Sequence, residues 1–310
     1  VKNYKIIFLI LSISLLLFPY SKIYSQNFNE GDRTKNNIVE QATKEIEKAK
    51  NLKVKTRFRY AAFYNSQGKL PAKKTLTEKV TFDKNGFRKE VIRYTSLGKI
   101  DLKYSFKFDS KGRIFKMEVR SGSNQLVGKR ESVYDKNGNE IQRNLLDVEH
   151  GGPSKMIFTY DKENNLIETK NYNNKNEVIN IFKNIWEKGK LINSSIVDNN
   201  GKTIVKTHFV YDDNGKIIKE EVSESANYSI TYKYDSKGNL IEVTNPQTKR
   251  IMTYNQNNDL VEDKLYSNDG ARQYRITFSY LKNGLQDEEI RYNNSDRPAF
   301  NGKYVYEFYK

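Results

Sequence analysis

The chain has 310 residues, with 54 Lys and Arg against 38 Asp and Glu for a formal net charge of +16, and it contains no cysteine and two histidines. That excludes disulfides, thiolate nucleophiles and cysteine zinc sites, and leaves little for a histidine-rich metal centre. With 22 Tyr and 16 Phe it is too aromatic for a disordered sequence.

The N-terminus runs Val1-Lys2-Asn3-Tyr4-Lys5 and then enters an apolar stretch from Ile6 to Phe18. A basic start, a short apolar core and Ile23-Tyr24-Ser25 predict a secretory signal peptide over residues 1–25, cleaved after Ser25. The apolar stretch is 13 residues long. A spanning helix needs about 20, so no anchor is expected here. Val1 in first place reads as an alternative start codon, which points to a bacterium. The mature chain is therefore expected to be exported (periplasmic, outer-membrane-associated or extracellular), with no transmembrane segment after signal removal. Loss of Lys2, Lys5 and Lys22 leaves 51 basic against 38 acidic residues, a net charge of +13. Such a charge favours polyanions of the envelope. The basic residues are interleaved with acids, however, in a background rich in Lys, Asn, Ile and Tyr.

Residues 26–36 are polar and read as a linker. Over 37–50 the apolar positions Ile38, Val39, Ala42, Ile46 and Ala49 have helical spacing, with Asn37 and Glu40 placed as a capping pair. One amphipathic helix cannot bury its face alone, so it is expected to cap the first edge of the sheet that follows. Its polar face mixes Glu40, Lys44, Glu45, Glu47 and Lys48, which gives little preference for anionic lipid.

From residue 54 to 310 the pattern changes to period two, punctuated by a recurring turn. It appears as Phe82-Asp83-Lys84-Asn85-Gly86, Phe108-Asp109-Ser110-Lys111-Gly112, Tyr134-Asp135-Lys136-Asn137-Gly138 and Tyr160-Asp161-Lys162-Glu163-Asn164. It returns as Tyr211-Asp212-Asp213-Asn214-Gly215 and Tyr234-Asp235-Ser236-Lys237-Gly238, with weaker copies at Tyr254 and Tyr280. The first three glycines are 26 residues apart, and secondary turns fall between at Gly98, Asn176, Gly201 and Gly270, so each repeat is two strands and two turns. Asp at the turn bonds its own backbone two residues on, and Gly supplies the left-handed conformation. Tyr104, Phe106 and Phe108 alternate along one strand; Met156, Phe158 and Tyr160, then Ile230, Tyr232 and Tyr234, then Ile276, Phe278 and Tyr280 do the same. Tyr304, Tyr306 and Phe308 repeat it in the last strand. The spacing predicts an all-β protein: a long antiparallel meander of repeated β-hairpins, curled or barrel-like, aromatic face inward and stacked across strands, with one N-terminal capping helix.

Tyr232-Lys233-Tyr234-Asp235-Ser236-Lys237-Gly238-Asn239-Leu240, with Thr231 before it, resembles the Tyr-Asp (YD) repeat of the RHS proteins. The resemblance extends loosely over residues 56–310. It implies a long sheet spiralling into a shell or barrel, and a surface location. Toxin-carrying members have many more repeats, an autoproteolytic core segment and a C-terminal toxin. Here Lys303 to Lys310 reads as a strand, so a short form without a toxin domain is expected.

Chemistry is sparse in the sequence. Asp135, Asn137 and Asn139 alternate like calcium ligands, but Gly138 stands at position 4 of that loop and Leu146 at position 12, so no metal is expected. No nucleophile elbow or phosphate loop is present and no cofactor is expected. Four residues are weak ligand-binding candidates. His150 lies in the Glu149-His150-Gly151-Gly152-Pro153 loop that breaks the rhythm; Trp186, the single tryptophan, stands where Tyr-Asp stands in other copies; Tyr232 and Tyr254 belong to the aromatic face. His208 is expected on the opposite, solvent-facing side of its strand. The reading is an exported, non-catalytic binding or scaffold protein of the bacterial envelope or surface. Its partner would be an envelope glycan or a surface protein, not nucleic acid. The alternatives are a carbohydrate-binding module and, behind it, a glycan hydrolase using turn carboxylates.

Overall fold

The computed structural model describes residues 44–148, 152–224 and 227–310. The expected signal peptide, the linker and the first half of the expected helix lie outside these residues, as does His150. The chain enters through a helix α1 (residues 44–51). Twenty strands follow, beginning with β1 (Val54–Phe63), β2 (Thr75–Phe82), β3 (Arg88–Tyr94), β4 (Ile100–Phe108), β5 (Ile114–Ser121), β6 (Leu126–Tyr134) and β7 (Glu140–Asp147). Next come β8 (Gly152–Tyr160), β9 (Leu166–Tyr172), β10 (Val178–Glu187), β11 (Lys190–Asp198), β12 (Thr203–Tyr211), β13 (Ile217–Glu224) and β14 (Tyr228–Tyr234). The ring is completed by β15 (Leu240–Thr244), β16 (Thr248–Tyr254), β17 (Leu260–Ser267), β18 (Arg272–Tyr280), β19 (Gln286–Tyr292) and β20 (Pro298–Phe308).

Each strand pairs antiparallel with its neighbours in sequence, and β20 returns to pair with β1 along Val54–Phe63. The sheet is therefore a closed 20-stranded barrel with no free edge. Strands about 4.8 Å apart give a ring roughly 30 Å across if round, too wide for the wall's own side chains to fill. The inner wall accordingly carries separate apolar clusters among the described residues. One is built on Val80, Phe82, Val91, Tyr104 and Val119, one on Phe209, Tyr232, Leu240 and Met252, and one on Met156, Phe158 and Leu166.

The Asp turns work as expected. Asp83 N–H bonds the Phe87 carbonyl, Gly86 N–H bonds the Asp83 carbonyl, and Asp83 Oδ1 accepts the N–H groups of Asn85 and Phe87. The same pattern recurs at Asp109 and Asp235. Asn164, Asn176 and Asn258 hold the left-handed position with φ of 64°, 62° and 60° where glycine is missing. A bulge sits beside these turns, as between Lys107 and Phe108 or Val133 and Tyr134, where two residues of the odd strand face one of the even strand. The bulge explains the apolar doublets after the turn: Ile114 and Ile217 are buried, while Phe115 and Ile218 turn outward.

The aromatic face points inward. Tyr104, Phe158, Tyr232 and Tyr304 are all under 9% exposed. His208 stands on the outer face, exposed, with Nδ1 3.1 Å from Asn193 Oδ1. Three expectations need correction. The inward aromatics of the repeats do not stack on one another across strands, because they lie on even strands about 10 Å apart with an odd strand between, although Phe63 and Phe300 do meet across the β1–β20 pair with ring centroids 5.4 Å apart. Across from Tyr104 stand Val91 and Val119, and across from Phe158 stands Thr169. In the last strand Phe308 is 47% exposed, and Tyr309 turns in instead to donate its hydroxyl to the Phe82 carbonyl at 2.6 Å. The helix also differs: β20 already takes the first edge, so α1 covers a mouth of the barrel rather than a strand.

Candidate functional site

All the Tyr-Asp turns lie on one rim, because even strands run toward it and odd strands leave it. The tyrosine before several of these turns has a repeated role there, which Tyr306 of β20 shares. Tyr134, Tyr160, Tyr211, Tyr254, Tyr280 and Tyr306 donate their hydroxyls to the carbonyls of Ile114, Glu140, Leu191, Leu240, Leu260 and Gln286 at the start of the preceding strand, at 2.7–3.1 Å. Trp186 makes the same bond through its indole N–H to the Leu166 carbonyl at 2.8 Å. Cations cover several of these rings: Arg113 lies 4.4 Å from the Tyr134 centroid and Lys216 4.8 Å from that of Tyr234.

Helix α1 sits across this mouth, over the seam where β1 meets β20. Glu45 Oε1 is 2.5 Å from Arg57 Nη1, and Glu45 also bonds Arg88. Burial alone pushes the Glu45 carboxyl up, but Arg88 and Arg57 together hold it below the usual range. Lys48 Nζ donates to Asp259 Oδ1 at 2.8 Å and to the Gly284 carbonyl at 2.7 Å. Ala49 is buried against Val54, Val80 and Phe82. Gly86 lets the helix approach: its φ is +82°, and a Cβ there would run into the Ile46 carbonyl oxygen.

Beneath α1 lies a cavity of about 380 Å³. Its wall carries Tyr254, Tyr280, Tyr304 and Tyr306, four cations (Lys44, Lys48, Arg57, Arg250) and four carboxylates (Glu45, Asp259, Asp263, Glu289). The charges are matched locally. Arg250 holds Asp263 with two bonds of 2.9 and 2.7 Å, and Arg57 Nη2 is 2.9 Å from Glu78. Arg59 reaches Glu289 at 2.5 Å across Gly302, where a Cβ would press on both side chains. Tyr304 donates to Glu289 Oε2 at 2.9 Å. Burial pushes the Tyr306 phenol up to about 12, so it stays a neutral donor.

The structure brings one predicted residue, Tyr254, to this cavity. Tyr232 is 5% exposed, donates to Glu220 Oε1 at 2.7 Å, and borders a second hollow on the same rim of about 650 Å³. Trp186 is fixed in the wall by the bond described above. Sequence reasoning did not single out Arg57, Arg250, Asp263 or Glu289. The available signal was their parity, since each is a charged residue at an inward position of a strand whose inner face is otherwise apolar or aromatic.

The outer face is the reverse of the inner one. It carries ion pairs within and between strands, including Lys103–Glu90, Lys129–Glu131, Lys219–Glu221 and Lys264–Glu262 at 2.6–2.8 Å. Fold and rim together define a closed, water-facing β-repeat barrel with a helix-capped mouth. Residues 211–250, spanning Tyr211-Asp212 through the Tyr234-Asp235 turn, match the RHS Repeat family, so the chain carries an RHS repeat there. No curated protein matches the sequence. Among solved structures it is similar to the pore form of the Photorhabdus luminescens Tc holotoxin, with 10% identity, a TM-score of 0.32, and coverage of 75% of this chain and 16% of that one. A TcdB2-TccC3-Cdc42 structure gives 11% identity, a TM-score of 0.31, and 73% and 16% coverage. A porin-like protein from Bacteroides uniformis gives 7% identity, a TM-score of 0.34, and 82% and 98% coverage. The chain thus spans about a sixth of the toxin chains it matches.

Proposed function

We propose that this chain is an exported, non-catalytic β-repeat binding or scaffold protein of the bacterial envelope or surface. The observation that carries the proposal is how the wall's carboxylates are used. The turn aspartates are committed to backbone N–H groups, and the inward acids to arginines and tyrosines. Among the described residues, each carboxyl displaced from its ordinary pKa is displaced downward, including Glu45, Glu140 and Glu262. A glycan hydrolase needs one carboxyl held protonated as the acid, so this pattern favours binding over hydrolysis. Export rests on the sequence of residues 1–25.

The cavity favours carbohydrate binding as a second reading. Four cations against four carboxylates give an ionic ligand no net attraction. A neutral ring of hydroxyls can donate to the acids, accept from the arginines and pack on tyrosine faces. The test is a pull-down of residues 26–310 on peptidoglycan and envelope polysaccharides at low and high salt. Binding that persists at high salt and falls in Tyr254→Ala supports a shaped glycan site. Binding lost with salt reports only the +13 charge. No retention at either salt removes the glycan reading and leaves a protein partner.

A further inference from the structure

Among the described residues the barrel has one seam, where β1 meets β20, held by the sole strand pairing there that is distant in sequence. On the outer side of the seam, Lys74, just before β2, reaches over β1 to β20. Its Nζ stands 2.5 Å from Asn301 Oδ1. Asn301 is 0% exposed, and its Nδ2 has no hydrogen-bond partner. A buried amide donor left without an acceptor is uncommon and costly. The register supplies an acid on the same face. Asn301 lies opposite Ile290 and Glu288 opposite Lys303, so Glu288 is the diagonal neighbour of Asn301 across the β19–β20 ladder. Glu288 also acts on the Tyr64 phenol, whose pKa is raised by burial first and then by this carboxylate, and the Tyr64 N–H is bonded to the Ala299 carbonyl, two residues before Asn301.

From this arrangement we infer that Lys74 and Asn301 form an intramolecular isopeptide bond that closes the barrel covalently. In the step, Lys74 Nζ attacks Asn301 Cγ through its lone pair and a C–N bond forms. Glu288 accepts the proton that Nζ releases and passes it to Nδ2. The Cγ–Nδ2 bond then breaks and ammonia leaves. Nothing is oxidised or reduced, and the product is one amide joining the two side chains. The unpartnered Nδ2 is the atom that departs, so the ligation removes the unsatisfied donor. A cysteine-free chain thereby obtains at its seam the constraint a disulfide would give, tying residues 227 positions apart. The chain holds its own control: Lys155 Nζ is 2.6 Å from Asn176 Oδ1, but that pair is exposed and is not expected to ligate.

The test is intact mass and peptide mapping of the purified protein beside Lys74→Arg, Asn301→Ala and Glu288→Gln. The expected result is a wild-type mass one ammonia below that of its sequence and a branched proteolytic peptide joining the segments around Lys74 and Asn301. All three variants keep their sequence mass. Circular dichroism shows which variants are folded, and the branched peptide in the wild type stands independently of them. A wild-type mass equal to its sequence overturns the inference. So does an ammonia loss that persists in Lys74→Arg, because Asn301 precedes Gly302 and the loss would then be a backbone succinimide.

Discussion

The buried charge on the inner wall makes a prediction whose size follows from burial. Glu140 at the start of β7 is held by Arg130 at 3.1 Å and by Arg143 at 2.9 and 2.5 Å, and its side chain is 3% exposed. Replacing it by Gln leaves the two guanidiniums in the same dry place without their shared negative charge. Removing one partner from a buried ion pair costs about 3–5 kcal/mol. For a domain of this size each kcal/mol moves the midpoint by about 2–4 °C, so Glu140→Gln should lower Tm by roughly 10 °C. Glu221 on the outer face is the matched control: it pairs with Lys219 at 2.7 Å but is 48% exposed, and Glu221→Gln should leave the melt close to that of the wild type. Acid adds a second readout. Burial pushes Glu140 up, but Arg143 and Arg130 hold it below its ordinary value of 4.5. Its contribution is therefore full above that value and is lost as the pH falls through the lowered one. The gap between wild type and Glu140→Gln should narrow there. Urea melts from pH 7 down to pH 3 measure both effects. Equal losses for Glu140→Gln and Glu221→Gln at pH 7 would refute the reasoning.

Three further outcomes follow from the rim. Tyr160→Phe and Tyr280→Phe each remove a hydroxyl donated to a rim carbonyl, at 3.0 and 2.8 Å, and should each cost about 1 kcal/mol in urea melts; no loss in either would deny the ladder a structural role. Gly86→Ala should release α1, seen as faster proteolysis around residues 44–51, because its Cβ meets the helix backbone, whereas Gly98→Ala, also at positive φ but in open space, should carry only about 1 kcal/mol of strain. Lys48→Met removes the bonds to Asp259 and Gly284 and should loosen the same helix by about 1 kcal/mol, since Lys48 is one-third exposed; unchanged protease resistance in both Gly86→Ala and Lys48→Met would mean α1 is held by its apolar face alone.

The turns were legible because their chemistry is local: an Asp, its own backbone and a left-handed Gly or Asn lie within five residues. Alternation then assigned Tyr104, Phe158 and Tyr232 to one face, and that face is the inner one. What pairing decides was not legible. Closure joins Val54–Phe63 to β20, almost the whole described chain away, and no local pattern encodes it. The inward ion pairs depend on register in the same way, since Arg250 meets Asp263 and Arg59 meets Glu289 only once neighbouring strands are aligned. Phe308 misled because alternation assumes an unbroken ladder, and the extra residue of β1 between Val54 and Thr56, opposite Phe308 and Glu307, interrupts the ladder there. For the site, Tyr254 was legible as an inward aromatic. Its partners in the cavity were not, because three of the four overlooked charges sit on β1, β17 and β19, which carry no Tyr-Asp turn of their own.

The division of charge between the two faces decides which solvent surrounds the barrel. A bilayer-embedded barrel carries an apolar band outside, and each Lys or Arg placed toward lipid near the midplane costs about 2–4 kcal/mol. Here Lys103, Lys116, Lys129, Lys170, Lys219, Lys233, Lys249 and Lys264 all stand on outward positions, most of them mid-strand, paired with outward glutamates. Even at the low end, eight such residues would cost about 16 kcal/mol, beyond the net stability of about 5–15 kcal/mol that a typical domain has. In water the same pairs cost almost nothing, and they keep the wall from pairing with other apolar surfaces. The outer wall is therefore built for water, and the tyrosines, arginines and buried acids face the lumen and the helix-capped mouth. A ligand that uses those groups has to enter past the Tyr-Asp rim or from the opposite mouth. Because α1 lies across the first of these, Glu45 on Arg57 and Arg88, and Lys48 on Asp259, hold the helix over that mouth.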